Sequence, residues 1–315
     1  MNAAGHRWVK TQELVHSICA YPCPSVCICG STSVPVLLEA VMMRSSELAA
    51  IVADRLEAIR SRKPLVHHIT NLVVMNETAN ATLAIGALPV MAHAREEVAE
   101  MVGAAGALLL NIGTLTPATV ESMLIAGRRA NELGVPIVLD PVGAGATRLR
   151  TDAALQLLRE LKVTIVRGNA GEVGVVAGAG GEVKGVESMG VRGDVAEIGR
   201  ALAARFGATA AITGKRDVIT DGRRTAFVDN GHPMLTTITG TGCTATTMVA
   251  AFAAVEPDPV LAATAGLVAF GIAGELAAAN AAGPGTFQAA LFDALYGLSR
   301  ETILEKCRAW VEPSP

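Results

Sequence analysis

Between Ser45 and Val228 the chain alternates short apolar runs with segments of helical length, and no other feature restricts its fold as strongly. Leu65–Thr70, Leu88–Met91, Ala107–Ile112, Pro136–Leu139, Val163–Val166 and Ala208–Ile212 are bounded apolar stretches too short for helices, so they read as strands. Between them the spacing predicts helices: from Ser45 or Ser46 as cap through Ile59, from Asn71 through Thr82, then Glu96–Val102, Pro117–Leu133, Thr151–Leu161, Asn169–Val176, and one ending at Phe206. Strands alternating with helices in this way imply an α/β fold, a mostly parallel central sheet covered on both faces. Val218–Thr220 and Thr225–Val228 around Asp221-Gly222 read as a hairpin, and three long Ala-rich helices close the chain. A polar, Gly-rich excursion (Gly178–Gly193) interrupts this pattern, but no repeat or linker divides residues 45–315, which therefore read as a single domain.

Residues 1–44 differ. They lack clear periodicity and hold Cys19, Cys23, Cys27 and Cys29, whereas the rest of the chain has only Cys243 and Cys307. The spacing matches no common zinc pattern, and no long apolar stretch makes the segment a signal peptide. We read it as an N-terminal extension, disordered or preceding a true start at Met42 or Met43. The body, poor in cysteine, suits a reduced cytoplasmic setting.

Composition narrows the partners. Net charge is −3 with no basic cluster, which argues against a nucleic-acid surface. The most apolar uncharged run, Pro259–Gly274, is shorter than the roughly 20 residues a membrane span needs, so it reads as a buried helix. Aromatic residues are only 3% of the chain, which leaves Ala, Gly, Val and Leu to fill the core and favours close packing of helices and subunits.

Ligands of an open α/β sheet bind beyond the carboxyl ends of its strands. There the sequence places Thr239-Gly240-Thr241-Gly242-Cys243, a glycine turn feeding an apolar helix. Gly240 and Gly242 permit a tight turn and close backbone approach, and the helix start offers bare N–H groups to an anion, phosphate above all. Asp140 and Glu172 follow neighbouring strands. One or two carboxylates with substrate phosphates and water make a Mg²⁺ site, although Asp140 also suits a turn cap and Glu172 a first-turn helix acid. Arg167, just past a buried strand, suits phosphate oxygens or a salt bridge to either acid. Thr213 adds a hydroxyl at the same rim. His67 and His68 alternate between sheet faces, so at most one faces a site. Asn71 reads as a contact or an N-cap, and Met91 as core or a wall for a flat ring. Cys243, at a helix N-terminus, is expected to have a lowered pKa and to serve as a nucleophile, a substrate-wall residue or a weak base.

Taken together, VHHITNLVVMNETANATLAIGALPVMAHAREEV, LLLNIGTLTP, VLDPVGAGATRLR, IVRGNAGEV, AITGKRDVITDG and TGTGCTATTMVAAF resemble the hydroxyethylthiazole kinases of the ribokinase-like superfamily, from about Ser46 to near residue 308. The resemblance implies a ribokinase-like three-layer α/β/α fold. It also implies ATP- and Mg²⁺-dependent phosphorylation of 4-methyl-5-(2-hydroxyethyl)thiazole in thiamine salvage. On that basis Met91 and Gly240 line the thiazole site with Asn71 close by, Arg167 and Thr213 bind ATP, and Asp140 with Glu172 governs Mg²⁺. A homotrimer with active sites at subunit interfaces is implied as well. Many superfamily members carry an aspartate base where this chain has Cys243. We therefore expect Gly240, Gly242, Cys243 and Arg167 to stabilise developing charge while Cys243 orients the hydroxyl.

Three other readings compete. HHITN argues against a hydroxymethylpyrimidine or pyridoxal kinase. Cys243 argues against a nucleotide-dependent hydrate dehydratase, which keeps the aspartate. The full set of Asp140, Glu172, Arg167 and the glycine turn argues against a binding protein without turnover.

Overall fold

A computed structural model describes residues 42–178 and 192–314; the expectations for the N-terminal extension up to residue 41, and for most of the Gly178–Gly193 excursion, lie outside them. The element order is α1 (Ser45–Arg62), β1 (Leu65–Ile69), α2 (Met75–Ile85), β2 (Leu88–Val90), α3 (Val98–Gly103), β3 (Ala107–Asn111), α4 (Pro117–Leu133), β4 (Ile137–Asp140), α5 (Arg148–Glu160), β5 (Ile165–Asn169) and α6 (Ala170–Ala177). It continues with α7 (Arg192–Phe206), β6 (Thr209–Thr213), β7 (Asp217–Thr220), β8 (Arg224–Val228), α8 (Thr241–Ala253), α9 (Pro259–Asn280), α10 (Pro284–Gly297), α11 (Arg300–Lys306) and β9 (Ala309–Pro313).

The strands form one nine-stranded sheet in the order β2-β1-β3-β4-β5-β6-β7-β8-β9. Pairs from β2 through β6 are parallel, and β7, β8 and β9 add antiparallel strands at one edge. The order reverses between β1 and β3, and a doubly wound sheet opens its ligand crevice at such a reversal.

Side-chain alternation decides what each face carries. On β3, Ala107 and Leu109 join a core under α1, α2, α8, α9 and α10, while Leu108 and Leu110 join the core under α3–α7. Val138 of β4 and Ile165 of β5 share the first face. Continuing each alternation places Asn111, Asp140 and Arg167 on that same face, towards α8. Asn111 pairs with Asp140, and Leu139 pairs with Val166, so the three lie in adjacent positions across β3, β4 and β5. The α/β/α expectation holds.

The run expected to be a buried helix is α9, whose residues from Val260 to Gly274 are almost all buried between α8 and α10. It is long and apolar enough to cross a bilayer, but 83% of its most apolar window is already covered by the protein.

Several local expectations need correction. Helix α2 starts at Met75, not Asn71, because the Asn71 side chain is engaged elsewhere: Oδ1 accepts from Val73 N and Nδ2 donates to Asn111. Helix α5 starts at Arg148, where the Thr147 hydroxyl caps it by accepting from Arg150 N. Ser45 lies inside the first turn of α1 and its hydroxyl donates to Cys307 O, leaving Arg44 at the cap. Strand β9 was not anticipated. Its Trp310 stacks on Phe227 of β8 at 5.3 Å, and Met43 forms an antiparallel bridge with Val311.

Candidate active site

The glycine turn of the sequence meets α8 at Gly240, which caps the helix at φ 83°, a left-handed conformation that only glycine adopts without strain. A Cβ there would sit 2.6 Å from Val74 Cγ1, and one on Gly242 would sit 2.9 Å from Arg167 Nη1. The turn is thus closely packed against the β1–α2 loop on one side and the Arg167 guanidinium on the other. Thr244 N bonds Gly240 O, so the amides of Thr241, Gly242 and Cys243 precede the first intrahelical bond and have no helical acceptor. Hydroxyls of Thr244, Thr246 and Thr247 each reach back to the carbonyl four residues earlier, which fixes this turn from inside.

A cleft of about 360 Å³ lies in front of this helix start, and its walls include Asn71, Gly113, Asp140, Arg167, Glu172, Gly240, Gly242 and Cys243. Seven of the nine residues given roles by the family resemblance therefore converge on one cavity. Thr213 lies one strand further along the rim, where its hydroxyl accepts from Arg167 Nη2 at 2.5 Å. Met91 is not among the lining residues. It follows β2 at the sheet edge, and its carbonyl accepts from His93 Nδ1 at 3.1 Å.

Asp140 is buried. Oδ2 accepts from Thr246 Oγ1 at 2.7 Å and from Asn111 Nδ2 at 2.9 Å, and Arg167 Nη1 stands 4.0 Å away. Burial nonetheless pushes its carboxyl up to about 6, because desolvation outweighs the Arg167 charge and both hydrogen bonds, with the Glu172 charge adding to the rise. Its Oδ1 and the Arg167 Nε are buried polar atoms without a partner. A buried carboxylate oxygen and guanidinium N–H without partners, in two residues that line one cleft, are suited to a cation–phosphate ligand.

Glu172 is differently employed. Oε1 accepts from Gly143 N at 2.8 Å and Oε2 from Asn169 N at 3.0 Å, while the Asn169 side chain returns a bond from Glu172 N at 2.9 Å. This capping box ties the loop after β4 to the start of α6. Among the described residues no group of three His, Cys, Asp or Glu side chains is arranged to hold a metal ion alone.

The lowered pKa expected for Cys243 is corrected. Desolvation and the neighbouring Asp140 charge push the thiol up to about 11, against the smaller help of Asn111, Asn71 and Arg167. The group is a thiol at neutral pH, not a ready base or nucleophile.

Both histidines of the HHITN segment are structural. His67 Nε2 bonds Ala92 O at 2.8 Å, and His68 Nε2 lies 3.3 Å from Thr82 Oγ1, on opposite faces as the alternation requires. Burial lowers both, His68 to about 3, so both are neutral.

Sequence reasoning missed Asn111, Thr246 and Arg150. Asn111 bonds Asp140, Cys243 and Asn71. Arg150 donates to the carbonyls of Ile112, Val142 and Gly113, stitching the loops after β3 and β4 together. A polar residue closing the apolar run of β3 was the available signal for Asn111. Arg150 gave none, since a helix arginine one turn from a cap is ordinary.

One mostly parallel sheet between two layers of helices, with a helix start beside a buried acid and arginine, defines a ribokinase-like fold. A ribokinase-like superfamily protein from Enterococcus faecalis V583 aligns over 79% of this chain and 95% of its own at 14% identity, TM-score 0.54, a likeness of fold. The model of the hydroxyethylthiazole kinase family matches residues 56–301, and the chain belongs to that family. A hydroxyethylthiazole kinase from Roseiflexus sp. (strain RS-1) is 61% identical over 257 residues, covering 82% of this chain and 95% of that protein. The structure of hydroxyethylthiazole kinase from Pyrococcus horikoshii OT3 aligns at 45% identity and TM-score 0.76, covering 84% of this chain and 99% of that one.

Proposed function

We propose that this protein transfers the γ-phosphoryl group of ATP to the hydroxyl of 4-methyl-5-(2-hydroxyethyl)thiazole, yielding the thiazole phosphate, ADP and a proton. The observation that carries this reading is the pair of buried, unpartnered atoms, Asp140 Oδ1 and Arg167 Nε, at the cleft opened by the amides of α8.

In phosphoryl transfer through a loose transition state, positioning and charge stabilisation supply most of the acceleration. Amides at Gly242 and Cys243 and the positive end of α8 offer preorganised donors to the equatorial oxygens. Arg167, fixed by Thr213, adds a charge-assisted donor. Asp140 would hold Mg²⁺, with Glu172 nearby, whose oxygens accept from the Gly143 and Asn169 amides and fix the loop shape. When bound there, Mg²⁺ would supply positive charge to offset that of the phosphate oxygens. Cys243, as a thiol, orients the acceptor hydroxyl, whose proton leaves late to the transferred phosphoryl oxygens and then to solvent.

The thiazole end is completed by a second copy of the chain in this reading. Asn71, Gly240 and Val74 form one wall, while Leu72, Val73, Leu83 and Leu88 expose apolar surface around the β2 edge. A homotrimer seating Met91 of one copy against the cleft of the next covers that surface. The two described cysteines, Cys243 and Cys307, are free thiols, in keeping with a cytoplasmic protein.

The test is ATP consumption by purified protein with the thiazole alcohol, beside hydroxymethylpyrimidine and pyridoxal as competing acceptors, with and without EDTA. Turnover of the thiazole alcohol that EDTA abolishes is expected. Preference for either other acceptor overturns the assignment.

A further inference from the structure

Asn111 closes β3 and is only 2% exposed, and every hydrogen-bonding position of its amide is used. Its Oδ1 accepts from Gly113 N at 2.9 Å. A backbone N–H can only donate, so this contact settles which end of the amide is oxygen. The same oxygen accepts from Asn71 Nδ2 at 2.8 Å, and Asn71 is oriented in turn because its Oδ1 accepts from Val73 N at 3.1 Å. Both hydrogens on Asn111 Nδ2 are then committed: one to Asp140 Oδ2 at 2.9 Å, the other to Cys243 Sγ at 3.2 Å.

Two consequences follow at the cleft. Asp140 Oδ2 already accepts from Thr246, so Asn111 fills it and leaves Oδ1 as the carboxylate oxygen without a partner. Cys243 Sγ meets amide hydrogens from Asn111 and, at 3.5 Å, from Asn71. A thiol hydrogen pointed at those N–H groups would face like partial charge, so the S–H turns away, towards the cleft.

We propose that Asn111 is a positioning residue for the phosphoryl acceptor: one amide holds Asp140 by one oxygen and Cys243 by its sulfur, so that Asp140 Oδ1 and the thiol hydrogen are what the cleft presents. The proposal rests on the kinase reading above and adds to it the group that sets the direction of the thiol. Cys243 then acts as a donor to the alcohol oxygen, holding the acceptor on line without removing its proton. Gly113 is part of the device, since a Cβ there would sit 2.7 Å from the Asn71 amide.

A double-mutant cycle separates positioning from simple support. Asn111→Ala is expected to lower kcat with the thiazole alcohol by about tenfold to a hundredfold, leaving KM for ATP within about twofold, because Thr246 still holds Asp140 Oδ2 while the Cys243 thiol loses its nearer amide partner. In Cys243→Ala protein, Asn111→Ala should cost no more than about threefold, since the sulfur it directs is gone and Thr246 still holds Asp140. Penalties that multiply in full, or a loss confined to ATP affinity, overturn the proposal. Asn111→Ser, which keeps a small polar group beside Gly113, carries the same cycle if the alanine variant does not fold by circular dichroism. A second readout needs no turnover. The side-chain amide proton resonances of Asn111, assigned by their loss in Asn111→Ser, should shift in Cys243→Ala protein; unchanged resonances overturn the contact. Wild-type protein inactive on the thiazole alcohol refutes the substrate, and the resonance test still decides the positioning role.

Discussion

Replacing Gly240 with alanine tests whether the helix start is the working part of the site. The φ of 83° puts a non-glycine residue in the left-handed region, at about 1–2 kcal/mol. The new Cβ would meet Val74 Cγ1 at 2.6 Å, well inside the roughly 3.5–4.0 Å of carbon contact. Overpacking of this kind costs about 1–3 kcal/mol, so the turn as built is disfavoured by about 2–5 kcal/mol in all. The chain escapes by moving the turn, which carries the amides of Gly242 and Cys243 with it. A shift near 1 Å at a reacting centre costs about a hundredfold in rate. The expected result is a kcat lower by about that factor in a coupled ATP assay, with a Tm lower by at least about 4 °C. Measured in Val74→Ala protein, where the clashing methyl is absent, the Gly240→Ala stability penalty should shrink to the backbone part, about 1–2 kcal/mol. A near-wild-type rate, or the same penalty in both backgrounds, refutes the reasoning.

Other outcomes follow from the same geometry. Arg167→Ala removes the cation facing Asp140 and Thr213, and kcat/KM for ATP should fall by about 10²–10³-fold in steady-state assays; Arg167→Lys, lacking the fork, should recover only part. Cys243 should react with iodoacetamide at pH 7.5 a few hundredfold more slowly (about 300-fold) than a free cysteine of pKa about 8.5, as read by peptide mapping; an inflection below pH 8 refutes the buried thiol. His68 is held at about 3 in the fold, and its unfolded value is near 6.5, so the unfolded chain binds the extra proton first. Its contribution is complete above the unfolded value and lost as pH falls below it, by about 2 kcal/mol between pH 7.5 and 5. Urea melts should show this slope, and His68→Gln should flatten it.

The layered sheet was legible because its strands are short aliphatic runs set off by breakers, and their alternation needs no partner to read. The rim groups were legible for a related reason: Asp140, Arg167 and Thr213 each end or follow such a run. What escaped depends on contacts distant in sequence. Asn71 looks like a helix cap until Asn111, forty positions on, claims its amide. Cys243 looks activated by its helix until burial beside Asp140 is counted, and that burial belongs to the assembled cleft. Strand β9 escaped because Glu312 and Pro313 break the apolar pattern, and only pairing along β8 makes the segment extended.

The shared facing of Asn111, Asp140 and Arg167 has an evolutionary consequence. Each hangs from its strand next to residues that turn the other way into aliphatic packing, as Leu110, Leu139 and Val166 do. Exchange of one side chain at the rim leaves the hydrocarbon beneath it in place, so the chemistry can be altered while the scaffold stays folded. A saturation library across these strands should accordingly split into two groups with little overlap: variants that keep their expression level but lose turnover, and variants that simply disappear from the soluble fraction.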